Sequence, residues 1–411
     1  MTSFDCDVLI VGAGPAGSAA AIDAAQAGLS TVMVDKTEFP RDKCCGDGLT
    51  AGALRTLDDL GLDRSALPSW MQVDDVVLRS PRGREIVFPL PRDSGAFAAV
   101  CRRRELDAAL VTMAEKAGAT VRQNTPLTAV STTDDAVVAE AGGATITARW
   151  LVAADGMWSP TRKMLGLATP RYLGEWHAFR QYMVGVSDRA ASELIVWFEP
   201  DLLPGYVWSF PLGDGTANVG FGIQRGGRHN TQDMKDLWPE ILTRPHIAEF
   251  LGPDAQPEAA HRAWPIPARL GRSPLTSGRV LFVGDAAAAT DPMTGEGIGQ
   301  ALDTGRAAVA ALAGDPATAV DVVAERYRTD LRRGMQRDHA LARTLSNVLS
   351  SPRGATLAID VAGATPWTRK NFVRWLFEDY PRAAVATPHR WRRDLFAAPG
   401  AFAATSAAVS E

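Results

Sequence analysis

Three glycines and a carboxylate near the start of the chain have the types and spacing for chemistry. Gly12-Ala13-Gly14-Pro15-Ala16-Gly17 follows the apolar run Asp5 to Val11, and Asp35 stands further on, near the ~20-residue spacing of a dinucleotide-binding turn. Gly12 permits a tight turn, Gly14 lets the backbone approach a pyrophosphate, and Gly17 lets a helix pack closely on a strand. Free N–H groups and partial positive charge at the helix start suit the phosphates. Asp35 is placed to accept hydrogen bonds from a ribose diol. This stretch alone does not separate one dinucleotide from another.

Two more strand ends carry the same kind of signal. Trp150 to Ala154 is an apolar run ending at Asp155-Gly156, and Ser159 can cap the short helix that follows. Gly278 to Val283 ends at Gly284-Asp285 and leads through Thr290-Asp291-Pro292-Met293-Thr294-Gly295-Glu296-Gly297-Ile298-Gly299 into a helix. No second glycine-rich strand–helix unit with its own acid follows, so a separate NAD(P) domain is not expected.

The loop Phe39 to Leu49 is polar and glycine-rich, and Arg41 in it could neutralise phosphate. Its pair Cys44-Cys45 has three readings. A vicinal disulfide strains the backbone. Two small hydrophobes in a core is the bland reading. A thiol near the reacting centre, Cys45, is the sharp one. Arg102-Arg103-Arg104 at a helix start opposes the helix dipole, which suggests an anionic partner, with a solvated charged face as the alternative. Tyr206 and Trp208 sit in an alternating aromatic run, read either as a packed sheet face or as an apolar wall for a ligand.

The elements that must position these residues follow from periodicity. The first strand, the glycine turn, a helix from Ser18 to Ala27 stopped by Gly28 and the strand Thr31 to Val34 make one βαβ unit. A helix is expected near Thr50 to Leu60, a hairpin over Val73 to Leu90, and a helix over Ala98 to Ala117. A meander is expected over Thr120–Arg122, Ala136–Ala139 and Ala144–Ala148. From Tyr172 to Trp264 the alternation predicts an antiparallel sheet with a turn at Gly213-Asp214-Gly215. The tail from Val320 is expected to be helical. Trp367 to Phe377 and Arg390-Trp391-Arg392-Arg393 mix basic and aromatic residues, which suits helices packed on the catalytic domain or interfacial membrane docking. The end from Gly400 is expected to fray.

With 411 residues, 46% hydrophobic and 22% charged, and net charge −4, the composition is that of a globular chain of two or more domains. The acidic balance argues against nucleic acid. Four cysteines without zinc spacing suggest a reduced, cytoplasmic setting. No basic n-region and no apolar run of ~18 residues is present, so neither a signal peptide nor a membrane span is expected, and peripheral membrane association stays open.

Together the three segments resemble the FAD-dependent fold of the para-hydroxybenzoate hydroxylase type. The resemblance implies an α/β architecture: a Rossmann-like FAD-binding domain (1–72, 96–168, 271–345), an inserted antiparallel β-sheet substrate domain (73–95, 169–270) and C-terminal helices (346–411). It implies that Asp285 bonds the ribityl chain, that the N–H groups of Gly297 and Ile298 face the flavin pyrimidine edge, and that Arg103 approaches the phosphates. Ala16, Lys36, Arg41, Cys45, Gly46, Asp155, Gly284, Pro292 and Gly295 complete the implied contacts.

Within that fold the chain is similar to the geranylgeranyl reductase family, which includes menaquinone reductases. The matching stretches are Phe39-Pro40-Arg41-Asp42-Lys43-x-Cys45-Gly46-Asp47-Gly48-Leu49, Leu203 to Pro211, Gly213-Asp214-Gly215-x-Ala217-Asn218-Val219-Gly220 and Pro292-x-x-Gly295-Glu296-Gly297-Ile298. The chain departs at Cys44, where the family usually has proline. The similarity implies saturation of a C=C bond in a polyprenyl chain, with hydride from reduced flavin N5. Tyr206 and Trp208 would form the pocket wall, with Tyr206, Cys45 or water as proton source. The electron donor would be NAD(P)H, ferredoxin or a separate reductase. A flavin monooxygenase is the alternative reading. A halogenase is more distant, since Tyr206 and Phe210 break its Trp-x-Trp-x-Ile-Pro pattern and no catalytic-lysine context is recognised.

Overall fold

The computed structural model describes residues 3–312, 315–384, 387–391 and 398–403. The expected basic pair Arg392-Arg393 and the tail beyond Ala403 lie outside them. The chain forms two compact units.

The first unit comprises residues 1–43, 103–176 and 265–340. Its sheet runs, in spatial order, Val280–Phe282, Ala144–Ala153, Cys6–Val11, Thr31–Val34 and Thr120–Arg122, all parallel. Val8, Leu9, Ile10, Leu151 and Val152 are fully buried, as expected of a sheet covered on both faces. Parallel pairing brings the ends of three strands to one edge: Val11 before the glycine loop, Ala153 before Asp155, and Phe282 before Gly284. The helix Pro15–Gln26 starts with proline at its first turn, where no N–H is needed. It packs on Ile298–Leu312 at close range: a Cβ on Gly305 would strike the Ala16 carbonyl oxygen, and one on Gly284 would lie 3.1 Å from the Ala16 methyl.

Three local expectations change in this unit. Ala144–Ala153 is one ten-residue strand, since its polar half borders an antiparallel neighbour and its apolar half enters the parallel sheet. Thr120–Arg122 joins the parallel sheet beside Thr31–Val34 instead of the meander. The meander is completed by Leu127–Thr132, a mostly exposed strand whose polar sequence gives no burial signal.

The second unit comprises residues 44–102, 177–264 and 341–411. Its main sheet has the order Gln256–Pro257, Trp176–Val184, Ala217–Gln224, Tyr206–Pro211, Leu194–Trp197, Asp75–Arg79, Glu85–Pro89. The expected antiparallel pairing holds from Ala217–Gln224 to Leu194–Trp197 and in the hairpin. Leu194–Trp197 and Asp75–Arg79, however, run parallel. The long chain between them allows it, because only a tight turn forces antiparallel pairing. One sheet face buries Val207, Trp197 and Phe221 against Trp238 and Phe250 of the helices Met234–Leu242 and Pro245–Leu251. The other buries Val76, Leu78 and Phe88 against Ile359, Ala362 and Val373 of the helices Pro352–Ala362 and Pro366–Leu376.

Residues 44–72 and 96–102, expected with the nucleotide-binding domain, pack in this second unit. They form a small sheet of Gly48–Thr50, Ala98–Val100 and Met71–Gln72, and the Ala51 N–H bonds to the Phe377 carbonyl. The expected helix from Ala98 therefore starts at Arg103.

Candidate active site

In the first unit the glycine loop is shaped by collisions that only hydrogen avoids. Gly12 has φ +102°, and a Cβ there would strike the Ala154 carbonyl. A Cβ on Gly17 would strike the Gly12 carbonyl. Gly14 lies in front of the helix with no side-chain cap on its N–H groups. Asp35 does more than wait for a ligand. Its Oδ2 accepts from the Ala13 N–H at 2.7 Å, and its Oδ1 accepts from the Thr37 N–H at 2.8 Å and Oγ1 at 2.7 Å. A carboxylate has about four acceptor sites, so Asp35 fixes the loop and retains capacity for a ribose hydroxyl. Lys36 is exposed.

A buried ion cluster flanks this loop. The Asp107 carboxylate accepts from Arg103 Nε at 2.7 Å and Nη2 at 2.8 Å, and from Arg41 Nη1 at 2.7 Å. Two guanidiniums share this one carboxylate. Arg41 extends toward the loop, where its Nη2 would lie 3.7 Å from a Cβ on Gly14.

The second strand end is tied to the third. Asp155 Oδ2 accepts from the Thr161 N–H at 2.8 Å, and burial pushes its carboxyl above the usual range. Ser159 caps the short helix Pro160–Met164. Arg162 on that helix donates to the Ala286 carbonyl at 2.6 Å and the Pro274 carbonyl at 2.7 Å, and lies over the Phe282 ring. Burial lowers its pKa to about 10, so it stays charged at neutral pH.

Beyond Gly284-Asp285, the Asp291 carboxylate accepts from the Met293 and Thr294 N–H groups at 3.0 and 2.8 Å. This folds the Pro292–Gly297 loop before the helix Ile298–Leu312. Thr290 Oγ1 donates to Asp285 at 3.2 Å, and the Pro292 carbonyl accepts from Trp176 Nε1 at 3.1 Å. The Gly299 N–H is taken by Glu296 Oε1 at 2.8 Å. Among the described residues, the N–H groups of Gly297 and Ile298, at the start of the helix, have no acceptor in a preceding turn.

The second unit holds a separate constellation. Phe198, Tyr206, Trp208 and Phe210 form a continuous aromatic row, with neighbouring ring centroids 6.1, 5.9 and 6.2 Å apart. The last three alternate along one strand and so share a sheet face. Tyr206 and Phe210 are half-buried and Trp208 is buried. The loop at Cys45 is pinned beside them. The Cys45 carbonyl accepts from Asn218 Nδ2 at 2.9 Å and Arg180 Nε at 3.2 Å. The same Asn218 amide donates to Asp47 at 2.8 Å and accepts from Trp208 Nε1 at 3.1 Å. Asp47, fully buried, also accepts from the Tyr182 hydroxyl at 2.6 Å. It adopts φ +65°, a strained value for a non-glycine residue. Gly46 and Gly48 bring the backbone against the rings: a Cβ at Gly46 would lie 3.6 Å from Trp208 Nε1, and one at Gly48 3.3 Å from Phe210.

The FAD binding domain model matches residues 5–337, most of the chain. The chain belongs to this FAD-binding family. It is 33% identical to the menaquinone reductase of Mycolicibacterium smegmatis over 365 residues, covering 84% of this chain and 85% of that one. It is 31% identical to digeranylgeranylglycerophospholipid reductase 1 of Methanothermobacter thermautotrophicus, over 72% and 73% of the two chains. Its fold matches a geranylgeranyl bacteriochlorophyll reductase-like protein of Thermoplasma acidophilum with TM-score 0.78 and 24% identity, covering 94% and 99%. It also matches p-nitrophenol 4-monooxygenase of Pseudomonas putida, with TM-score 0.73 and 17% identity over 91% and 97%. The protein is an FAD-dependent oxidoreductase of the geranylgeranyl reductase type.

The first unit fits FAD on its own geometry. The open approach at Gly14, the uncapped helix start and the Arg41 guanidinium beside them suit the pyrophosphate. Asp35 keeps acceptor capacity that suits a ribose hydroxyl.

Several residues expected at the FAD also have partners within the chain. Ala16 is buried against Gly284 and Gly305, where its small size sets the helix spacing. Arg103 donates to Asp107, and Arg102 binds Glu258, Asp214 and the Thr216 hydroxyl of its own chain. Cys44 and Cys45 form no disulfide and are half-buried, which removes the disulfide and deep-core readings. Asp107, Arg162, Tyr182, Asp47 and Asn218 were not singled out from sequence. Asn218 and Asp47 stand within motifs, but no sequence pattern announces that they meet.

Proposed function

We propose that the protein saturates C=C bonds in the isoprenoid chain of a lipid such as a geranylgeranyl compound or a menaquinone. The observation that carries this reading is the aromatic row Phe198–Tyr206–Trp208–Phe210 beside the pinned Cys45 loop, in a chain whose relatives bear isoprenoid-reductase names. Bound and reduced, FAD supplies a hydride equivalent to one alkene carbon. The chain's own residues do the rest. Aromatic rings bind an apolar chain and stabilise positive charge that develops on it. An isolated alkene is a poor acceptor, so its reduction requires close positioning and exclusion of water. Tyr206, Cys45 or a water delivers the proton to the second carbon. Trp208 is wall rather than acid, because its N–H is already held by Asn218.

Electrons come from NAD(P)H, ferredoxin or a separate reductase, and the protein works as a peripheral membrane enzyme. Among the described residues no helix is long and apolar enough to cross a membrane. The test uses the flavoprotein reduced without oxygen and mixed with geranylgeranyl diphosphate or menaquinone. Products heavier by about two mass units per bond, with flavin reoxidised anaerobically, support the reading. Unchanged lipids and a flavin that waits for oxygen would move the monooxygenase reading ahead.

A further inference from the structure

We propose that the consecutive helices Pro352–Ala362 and Pro366–Leu376 present a face that docks on an anionic lipid bilayer. The proposal rests on the isoprenoid-lipid reading for its purpose, although the face itself is defined by exposure and charge alone.

The inner sides of these helices are fully employed. Ala355, Ile359, Ala362 and Val373 are buried, which explains why the helices fold where they do. The outer side is apolar without a folding reason. Leu357 is 64% exposed, Val361 59% and Trp367 73%. Arg353, Leu357 and Val361 are spaced four apart and so share one helix face. Trp367 follows in the first turn of the next helix. Val348, 50% exposed, stands just before them, and its carbonyl abuts Gly354. Single exposed apolar residues are ordinary. Here four stand exposed within twenty residues of consecutive elements, one of them a tryptophan, and Leu357 and Val361 share a helix face.

Charge names the occupant. From Leu341 to Leu376 the cations are Arg343, Arg353, Arg369, Lys370 and Arg374, and the only acid is Asp360, in a chain of net charge −4. Asp360 is paired with Arg84 at 3.0 Å, and Arg374 is buried on Asp379. Exposed Arg353 and Lys370 therefore bracket the apolar residues. Tryptophan and leucine flanked by exposed cations suit the headgroup boundary of an anionic membrane, with the long cation stems lying along the apolar surface. A second copy of the chain suits the face less well, because pairing it with itself would oppose cation to cation.

The test is co-sedimentation of the FAD-loaded protein with vesicles of phosphatidylcholine, alone or mixed equally with phosphatidylglycerol. The wild type is expected to pellet with the mixed vesicles, and less so as salt rises. L357S/W367S and R353E/K370E are each expected to weaken that binding about tenfold or more, since each surface cation is worth about fivefold. Flavin content and melting temperature verify folding, because the substituted residues are exposed. The proposal is overturned if the wild type stays in solution with both vesicles, or if the variants pellet as well as the wild type. It is also overturned if sedimentation velocity shows a dimer that W367S disperses. Turnover of geranylgeranyl diphosphate without vesicles should survive in both variants. Vesicle binding without turnover in the wild type would sink the reductase reading and leave the docking face standing.

Discussion

Asn218 donates to the backbone carbonyl of Cys45 across 2.9 Å, although the two are far apart in sequence. The same side chain bonds Asp47 and Trp208, so one amide orients the aromatic wall and the loop bearing the thiol. Asn218→Leu leaves those buried groups without that partner, which costs about 1–3 kcal/mol. We expect kcat to fall about tenfold or more while FAD content stays at the wild-type level, because Asn218 belongs to the second unit and the glycine loop with Asp35 and Arg41 to the first. Loss of FAD together with activity would refute this role. Flavin absorbance and steady-state rates decide it.

Arg41 joins the buried Asp107 carboxylate to the neighbourhood of Gly14. Arg41→Ala should weaken FAD binding about tenfold to a hundredfold, the range of a charge-assisted bond. Asp107→Ala should instead lower stability by about 3 kcal/mol, because it removes the buried carboxylate that accepts from both Arg103 and Arg41. Flavin fluorescence titration and urea melts separate the two effects. Equal FAD affinity in Arg41→Ala would place the phosphates elsewhere.

Close approach of the helices at Ala16 and Gly305 gives a steric prediction. Gly305→Val should destabilise the first unit by about 1–3 kcal/mol and reduce FAD occupancy. A variant that melts with the wild type would show that the helices can shift apart without cost.

Burial, and then the Arg225 charge, push the His177 imidazole from 6.5 down to about 4, and Arg225 donates to its Nδ1 at 2.9 Å. The unfolded chain takes up a proton near pH 6.5 and the folded one does not. Stability is therefore lost as pH falls from about 6.5 toward 4, and His177 has no effect above that window. The loss should reach about 1–2 kcal/mol by pH 5. His177→Gln should flatten melting temperature over that range, and an unchanged slope would assign it to other groups.

Thiol chemistry should divide the cysteines. Burial pushes the Cys6 thiol up to about 12, and Cys101 is buried, whereas Cys44 and Cys45 are half-buried. Iodoacetamide at pH 8 should modify Cys44 and Cys45 and spare Cys6 and Cys101, because the thiolate is the nucleophile. Peptide mass spectrometry reads the outcome. Alkylation of Cys6 in the folded protein would contradict its burial.

The sequence by itself determined what depends on local order. A glycine must stand where a Cβ would meet backbone, as at Gly12 and Gly17, and an apolar run must end where a ligand loop begins. Periodicity and glycine placement therefore revealed the βαβ unit, the three strand ends and the aromatic alternation through Tyr206 and Trp208. Tertiary structure alone decided what depends on distant partners. Asp107 became the clasp for Arg41 and Arg103, Arg162 joined two strand ends, and Asn218 met Cys45, Asp47 and Trp208. Leu194–Trp197 ran parallel to Asp75–Arg79 for the same reason. Hydrogen-bond geometry and burial arise only when remote segments meet, and no local pattern encodes which remote carboxylate or amide will be there.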